Sequence, residues 1–322
     1  MAEYGWALSE KTQAKAREEL NECPESCTLA VKAVQEQIET RPDIDFLCTD
    51  TSFILRFLRA RKFDHFESFK LYARYFEYRR KNPNLFKKFY ATEPCIKAAL
   101  CDGFPCVLPH TDVAGRTIII LFTANWDIHA YGLGSIYRAL LLSLEKLITN
   151  DEVQVNGFVI IVDWSEFTFK QSTWIQPHIL KLMIEGLQDC FPARFTAIHF
   201  VNQPWYIEAI FKVMKPFLKE KTKHKIHMIG NNLALLYAHV PQEVLPAELG
   251  GDGPPYHMQS WAHQLIGKDE NFSFGEKQIY WPDHGCGIKT RSETFPLDNY
   301  TTEVKTEEKQ STQLDEEFFL ID

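Results

Sequence analysis

Four short apolar runs, separated by three stretches of helical length, most constrain how this 322-residue chain can fold. The runs are residues 117–122, 158–162, 197–201 and 225–229, and the intervening stretches are roughly 133–149, 174–189 and 204–221. Such alternation indicates βαβ units, because two parallel strands need a crossover of a dozen or more residues. The sequence therefore predicts an α/β fold built on a mostly parallel sheet.

Helical patterns fill the hundred residues before these strands. Thr51 or Ser52 is a plausible N-cap for a helix whose apolar residues recur at helical spacing. Asp64, with Glu67 three residues later, has the pattern of a capping box that opens the next helix. We predict an N-terminal helical bundle over residues 1–98 and an α/β domain over residues 99–266.

The acidity of the chain is concentrated at one end. Residues 268–322 hold 13 acidic and 6 basic side chains, and they account for −7 of the net charge of −8. A nearly neutral body argues against nucleic-acid binding, which requires a strongly basic domain. These residues also lack the apolar periodicity of helices and strands, so we predict an acidic, disordered tail over residues 267–322.

No motif of enzyme or metal chemistry stands out. The Gly132-x-Gly134 pattern lacks the third glycine of a dinucleotide site, and P-loop and Gly-x-Ser-x-Gly motifs are absent from the sequence. His224 and His227 have no further metal-ligating residue at suitable spacing. We predict no catalytic residues, no metal and no enzyme, with a soluble α/β enzyme as the minor alternative.

The start of the chain lacks the basic and apolar regions of a signal peptide. Its apolar runs are also shorter than the ~18 residues that span a membrane. We therefore expect a cytoplasmic protein whose contact with membranes is peripheral.

The predicted helix over residues 204–221 is unusually apolar. Its polar side chains form one narrow stripe, while nearly everything else on it is aliphatic or aromatic. This surface exceeds what one side of a sheet can bury, so part of it should face a cavity or a bilayer. A central helix packed on both sides is the alternative. Pro216 would loosen the last turns, which suits a gate. The gate-helix residues are Trp205, Ile210, Phe211, Met214 and Phe217.

Basic side chains follow this helix closely. Residues 215–225 hold five lysines and a single acid, Glu220. Arg194 precedes a neighbouring strand, and Arg61 follows a predicted helix of the first domain. If these cations converge, each contributes ~1 kcal/mol to binding an anionic lipid surface. A merely solvated basic stretch is the alternative.

Several motifs resemble the CRAL-TRIO (Sec14-like) family. Residues 53–63, Phe-Ile-Leu-Arg-Phe-Leu-Arg-Ala-Arg-Lys-Phe, resemble its N-terminal helical domain. Residues 202–207, 215–221, 230–232 and 245–251 resemble its lipid-binding domain. The resemblance covers roughly residues 45–265. It implies a helical bundle preceding an α/β cage, a closed apolar cavity that holds a hydrophobic lipid, and a mobile helix that gates the cavity at residues 202–221.

Site residues are implied by matching positions in tocopherol-carrying members. A phosphoinositide-binding basic cluster falls on Arg61, Arg194, Lys221 and Lys225, and Thr196 replaces one further base. Leu140 and Leu144 stand where those members have polar residues that contact the ligand. Leucine cannot form hydrogen bonds with a chromanol or retinoid, so a tocopherol or retinoid carrier is the alternative and not the first expectation. The implied pocket positions are Tyr137, Leu140, Leu144, Phe158, Val162, Met183, Gly186, Leu187 and Phe191.

Residues 167–171, 184–189 and 191–195 resemble one branch of this family in particular. That branch implies binding of phosphatidylinositol 3,5-bisphosphate on clathrin-coated vesicles, the trans-Golgi network and late endosomes. The sequence ends in a segment that resembles a clathrin-box peptide, in which alternate apolar side chains and an acid dock into a groove. The residues concerned are Phe318, Phe319, Ile321 and Asp322. We expect lipid and phosphoinositide as ligands, no other cofactor, and clathrin as a possible partner.

Overall fold

A computed structural model describes residues 8–267. Its centre is a five-stranded sheet in which the strands lie in chain order. The first pair is antiparallel and the other three pairs are parallel, which confirms the predicted α/β class. The strands are β1 (Cys106–Thr111), β2 (Thr117–Phe122), β3 (Phe158–Asp163), β4 (Phe195–Val201) and β5 (Ile226–Gly230).

The edge strand β1 was not predicted. It contains Pro109 and has three buried residues followed by three exposed ones, so it lacks the continuous apolar run of the inner strands. An edge strand tolerates proline because one side of its backbone has no partner to donate to.

Helices precede the sheet, as predicted. They are α1 (Glu10–Leu20), α2 (Pro24–Ile38), α3 (Thr51–Ala60), α4 (His65–Lys81), α5 (Pro83–Phe86) and α6 (Pro94–Cys101). The side chain that caps α3 is Asp50, which accepts from the amide of Phe53 at 3.0 Å, so the expected cap at Thr51 or Ser52 was wrong by one or two residues. The cap of α4 is Asp64, as predicted, and it accepts from the amide of Glu67.

An aromatic cluster holds α3 and α4 together. The rings of Phe57 and Tyr72 are fully buried, and their centroids lie 5.0 Å apart in a perpendicular arrangement. Such edge-to-face pairs add about 0.5–1.5 kcal/mol each to the burial of the rings.

A buried ion cluster joins these helices to the α/β part of the chain. Arg59 has no exposed surface, and it donates to both carboxylate oxygens of Glu22 at 2.8 and 2.9 Å. It also donates to Asp151 and Gln154, which lie between β2 and β3 in the chain, at 2.9 and 2.7 Å. The domain boundaries at residues 98 and 266 remain predictions.

The remaining helices cover the sheet and its ends. They are α7 (Leu133–Leu147), α8 (Asp151–Asn156), α9 (Phe169–Ser172), α10 (Pro177–Glu185), α11 (Trp205–Met214), α12 (Glu220–Lys223), α13 (Ala234–Tyr237) and α14 (Ser260–Ile266). A π-helical turn, Gly186–Cys190, continues α10, and a 3-10 turn, Lys215–Phe217, continues α11. Within residues 8–267, none of the helices combines the length and apolar character needed to cross a bilayer.

The two faces of the sheet have different neighbours. On one face Phe158, Ile160 and Val162 of β3 belong to a core that includes α7. On the opposite face, Val159 and Ile161 pack with the segment that follows β5. Because side chains alternate along a strand, this division fixes which residues can line a cavity on the first face.

Candidate functional site

A cavity of about 1120 Å³ lies between the first face of the sheet and the helices α10 and α11. Two strands supply its floor, because Ile160 and Val162 of β3 and Ile198 and Phe200 of β4 point to the same side. The walls are also aliphatic or aromatic. They include Leu121, Leu140, Ile175, Leu180, Met183, Ile184, Leu187, Ile207, Ile210, Phe211, Met214 and Leu218.

Four of the nine implied pocket positions line this cavity. Leu140, Val162, Met183 and Leu187 form part of its wall. Gly186 is also buried and does not line the cavity. Four more are buried in the surrounding core and stand behind the lining. They are Tyr137, Leu144, Phe158 and Phe191.

Tyr137 is held in the core by its hydroxyl group. Its oxygen lies 3.1 Å from that of Tyr78, which donates to the carbonyl of Leu182 at 2.9 Å. A side chain on Gly186 would place its Cβ only 1.9 Å from the Tyr137 hydroxyl. Glycine at position 186 therefore gives the tyrosine its place behind the cavity wall.

Sequence reasoning missed Ile198 and Phe200. The signal was available, because these residues alternate with Ala197 and His199 in a predicted strand, and one face of that strand had to meet the neighbouring helices. Which face borders a hollow depends on the three-dimensional packing of α10 and α11.

The helix α11 separates the cavity from solvent. Ile210, Phe211 and Met214 line the cavity, whereas Trp205 and Phe217 are 70% and 44% exposed. Within the described part of the chain, this helix is therefore not sandwiched between two packed layers.

The exposed side of α11 continues onto a neighbouring helix. Val213 is 55% exposed, and Phe169 of α9 is 51% exposed. The Phe169 ring lies 6.4 Å from that of Trp205, centroid to centroid. These side chains form an outer apolar face, which we define as Phe169, Trp205, Val213 and Phe217.

One part of the cavity border is basic. The cations that line it come from three separate places in the chain and are Arg61, Arg194, Lys221 and Lys225, and Thr196 also lines the cavity. We call these four cations and Lys62 the basic mouth. The fold thus brings together all four residues of the implied phosphoinositide cluster.

Among the described residues, one carboxylate forms an ion pair with the basic mouth. Arg194 pairs with Glu19 at 2.8 Å. Lys225 donates to the carbonyl of Phe195 at 2.7 Å, and Arg61 to that of Ala60 at 3.3 Å. Within residues 8–267, Arg61, Lys221 and Lys225 form no ion pair with a carboxylate.

The pKa of Lys225 reports a positive local field. Burial lowers this pKa, and the charges of Arg194, Arg61, Lys221 and Lys62 lower it further. Burial also lowers the pKa of the Arg61 guanidinium. Because nearby positive charges disfavour a further cation, an anion placed among them would be stabilised.

Comparison with known proteins identifies the family. The CRAL/TRIO domain family matches residues 102–251. Clavesin-2 from Mus musculus is 57% identical over 259 residues, which cover 80% of this chain and 79% of that protein. The chain belongs to the clavesin family of CRAL/TRIO proteins. Family membership confirms the resemblance seen in the sequence motifs and places the chain among lipid-binding and lipid-transfer proteins.

A second clavesin gives the same result. Clavesin-1 from Xenopus laevis is 53% identical over 264 residues, covering 82% of this chain and 80% of that protein. Among solved structures, the crystal structure of Sfh5 covers 83% of this chain and all of its own, with a TM-score of 0.45 and 12% identity. That likeness is too slight to carry an argument. The clathrin-box-like residues Phe318, Phe319, Ile321 and Asp322 lie outside the described residues.

Proposed function

We propose that this protein carries a hydrophobic lipid in its cavity and docks through the basic mouth onto membranes that contain a phosphoinositide. One observation carries the proposal: the apolar lining and the four predicted headgroup residues border a single continuous cavity. A molecule with a long apolar part and an anionic head would satisfy both regions at once. In this proposal the protein is not an enzyme and needs no cofactor beyond these lipids.

The apolar part of the cavity suits a lipid in size and chemistry. Its volume of about 1120 Å³ exceeds the ~1,000 Å³ at the upper end of ordinary small-molecule pockets. Each methylene group moved there from water contributes about 0.8 kcal/mol. A carrier of tocopherol or a retinoid is the alternative within the same cavity.

The outer apolar face supports docking onto a bilayer. Trp205 of α11 and Phe217 of the 3-10 turn that continues it are exposed, and the other side of α11 lines the cavity. Tryptophan is favoured at the boundary between lipid and water. Burial of this face in a membrane would give α11 a second apolar environment and free it to uncover the cavity. The 3-10 turn containing Pro216 marks where the helix can bend.

The headgroup we propose is phosphatidylinositol 3,5-bisphosphate. Arginine and lysine are the side chains that bind phosphate most strongly, and arginine can do so through two parallel hydrogen bonds. The chain would then lie in the cytoplasm and associate peripherally with endosomal, trans-Golgi or clathrin-coated vesicle membranes. Kinship with the clavesins favours this assignment over another anionic lipid.

Vesicle flotation tests the headgroup site. Changing Arg194, Lys221 and Lys225 together to alanine removes three cations at ~1 kcal/mol each, so affinity for vesicles containing the phosphoinositide should fall on the order of a hundredfold. The matched control changes three exposed lysines outside the cavity, Lys32, Lys81 and Lys87, and carries the same change in net charge.

Two results would contradict the headgroup assignment. The first is phosphoinositide-dependent binding that survives the triple substitution in the basic mouth. The second is an equal loss in the control, which would indicate attraction by net charge alone. Vesicles with phosphatidylinositol in place of the bisphosphate measure how much of the binding depends on the added phosphates.

Mass spectrometry of lipid that co-purifies with the protein tests the cavity. Leu187→Trp places a larger side chain on the cavity wall and should reduce the bound lipid. Leu235→Trp makes the same substitution at a residue that is 53% exposed and should leave the bound lipid unchanged. Purified protein that holds no lipid in either form would refute a carrier role.

We also propose that residues 318–322 bind clathrin. The sequence Phe-Phe-Leu-Ile-Asp, preceded by three acids, favours a trafficking role for the same protein. A clathrin pull-down with the full chain and with Phe318 and Ile321 changed to alanine tests this. Equal recovery of clathrin by both forms would remove the proposal without affecting the lipid site.

A further inference from the structure

We propose that Glu19 competes with the phosphates of the lipid headgroup for Arg194, and thereby sets how much anionic lipid a membrane needs to fill the basic mouth. This inference rests on the proposed function. It assigns a role to α1, which precedes the region covered by the motif resemblance.

The contact is direct. An oxygen of the Glu19 carboxylate accepts from the Arg194 guanidinium at 2.8 Å. Arg194 also donates to the backbone carbonyl of Val155, so the guanidinium is held in place with one of its nitrogens committed to Glu19. A phosphate that approaches Arg194 must share or displace this carboxylate.

Glu19 stands among cations rather than on an ordinary helix surface. Burial raises its pKa, but Arg194, Lys15 and Lys62 outweigh this effect, and the net pKa is lowered. Lys62 belongs to the basic mouth. Glu19 therefore acts as an internal anion at the edge of the site that the headgroup would occupy.

The position of α1 does not depend on this ion pair. Lys15 donates to the side-chain oxygen of Asn156 at 3.1 Å, and Thr12 donates to Glu152 of α8. After α1 ends, Asn21 donates to the carbonyl of Lys62 at 3.3 Å. The helix should thus stay in place when Glu19 loses its charge, and only the competition for Arg194 should change.

Charge and exposure indicate whether the Glu19 carboxylate or a lipid phosphate binds Arg194 more strongly. The Glu19 side chain is 47% exposed and that of Arg194 is 21% exposed. Exposed ion pairs of this kind change an equilibrium by only about one and a half- to fivefold. A phosphomonoester carries more negative charge than a carboxylate and can bind arginine through two hydrogen bonds, so it can displace Glu19.

A matched pair of variants tests the inference in vesicle flotation. Glu19→Gln should raise affinity for vesicles containing the bisphosphate by about two- to fivefold relative to Glu18→Gln. Glu18 is its exposed neighbour on α1, so both variants lose one negative charge at the same end of the molecule. In an Arg194→Ala background the two variants should bind equally, because the contested cation is gone. Urea denaturation checks that each variant is folded.

The outcomes separate this inference from the function on which it rests. If the wild type binds the phosphoinositide and Arg194→Ala weakens that binding, but Glu19→Gln equals Glu18→Gln, only the competition is refuted. A gain for Glu19→Gln that persists without Arg194 also refutes it. If Arg194→Ala binds as well as the wild type, the headgroup assignment fails and the competition fails with it.

Discussion

Acidification should destabilise the fold through one buried histidine. His199 lies on β4, faces away from the cavity and has no exposed surface. Neither nitrogen of its ring has a hydrogen-bond partner within the described residues. The rings of His227 and His239 stack near it, with centroids 5.0 and 5.1 Å away. Protonation of His199 would place a buried cation beside two further imidazoles.

The size of the effect follows from the pKa. Burial, together with the proximity of His227, His239 and Arg116, lowers the pKa of His199 to about 4, from about 6.5 in an unfolded chain. Below pH 6.5 the unfolded chain binds a proton that the folded chain refuses, so stability is lost as the pH falls from about 6.5 towards 4. Between pH 7.5 and 5.0 this linkage removes about 2 kcal/mol from the free energy of unfolding.

Urea denaturation at pH 7.5 and 5.0 measures this loss. His199→Leu removes the titrating group and two unpaired polar atoms, so the variant should be at least as stable as the wild type at pH 7.5. Its loss of stability on acidification should be about 2 kcal/mol smaller. His65→Leu, at an exposed site, is the control and should follow the wild type. Parallel pH dependence of the wild type and His199→Leu would refute the reasoning.

Two further substitutions test the packing behind the site, each by urea denaturation. Gly186→Ala places a Cβ 1.9 Å from the Tyr137 hydroxyl and should cost about 1–3 kcal/mol. Adding Tyr137→Phe should restore most of the loss, and a double variant no more stable than the single one would contradict this. Arg59→Met takes the guanidinium from the fully buried carboxylate of Glu22 and should cost about 3–5 kcal/mol. Adding Glu22→Met should recover part of that cost, whereas a single variant within about 1 kcal/mol of the wild type would contradict the prediction.

Local pattern was enough to predict the inner sheet. β2 and β3 are charge-free until Asp163, as a strand covered on both faces must be. The edge strand β1 was not predicted from the sequence because Pro109 and exposed residues interrupt its apolar pattern.

The charged residues were harder to place, because their environment is set by distant parts of the chain. Arg59 carries a charge and is nevertheless fully buried. Its partners Glu22 and Asp151 come from well before and well after it in the sequence. The ion pair of Glu19 with Arg194 likewise joins residues that are far apart in the sequence. Periodicity within one helix cannot reveal such contacts.

The apolar part of the cavity is continuous with the basic mouth, and this continuity has a thermodynamic consequence. Where the cargo changes the affinity for the headgroup by some factor, the headgroup must change the affinity for the cargo by the same factor. Cargo that strengthens docking would be retained more firmly at the membrane surface, and cargo that weakens docking would be expelled there. The sign of this coupling energy therefore decides whether headgroup binding favours the loading or the release of cargo at a membrane.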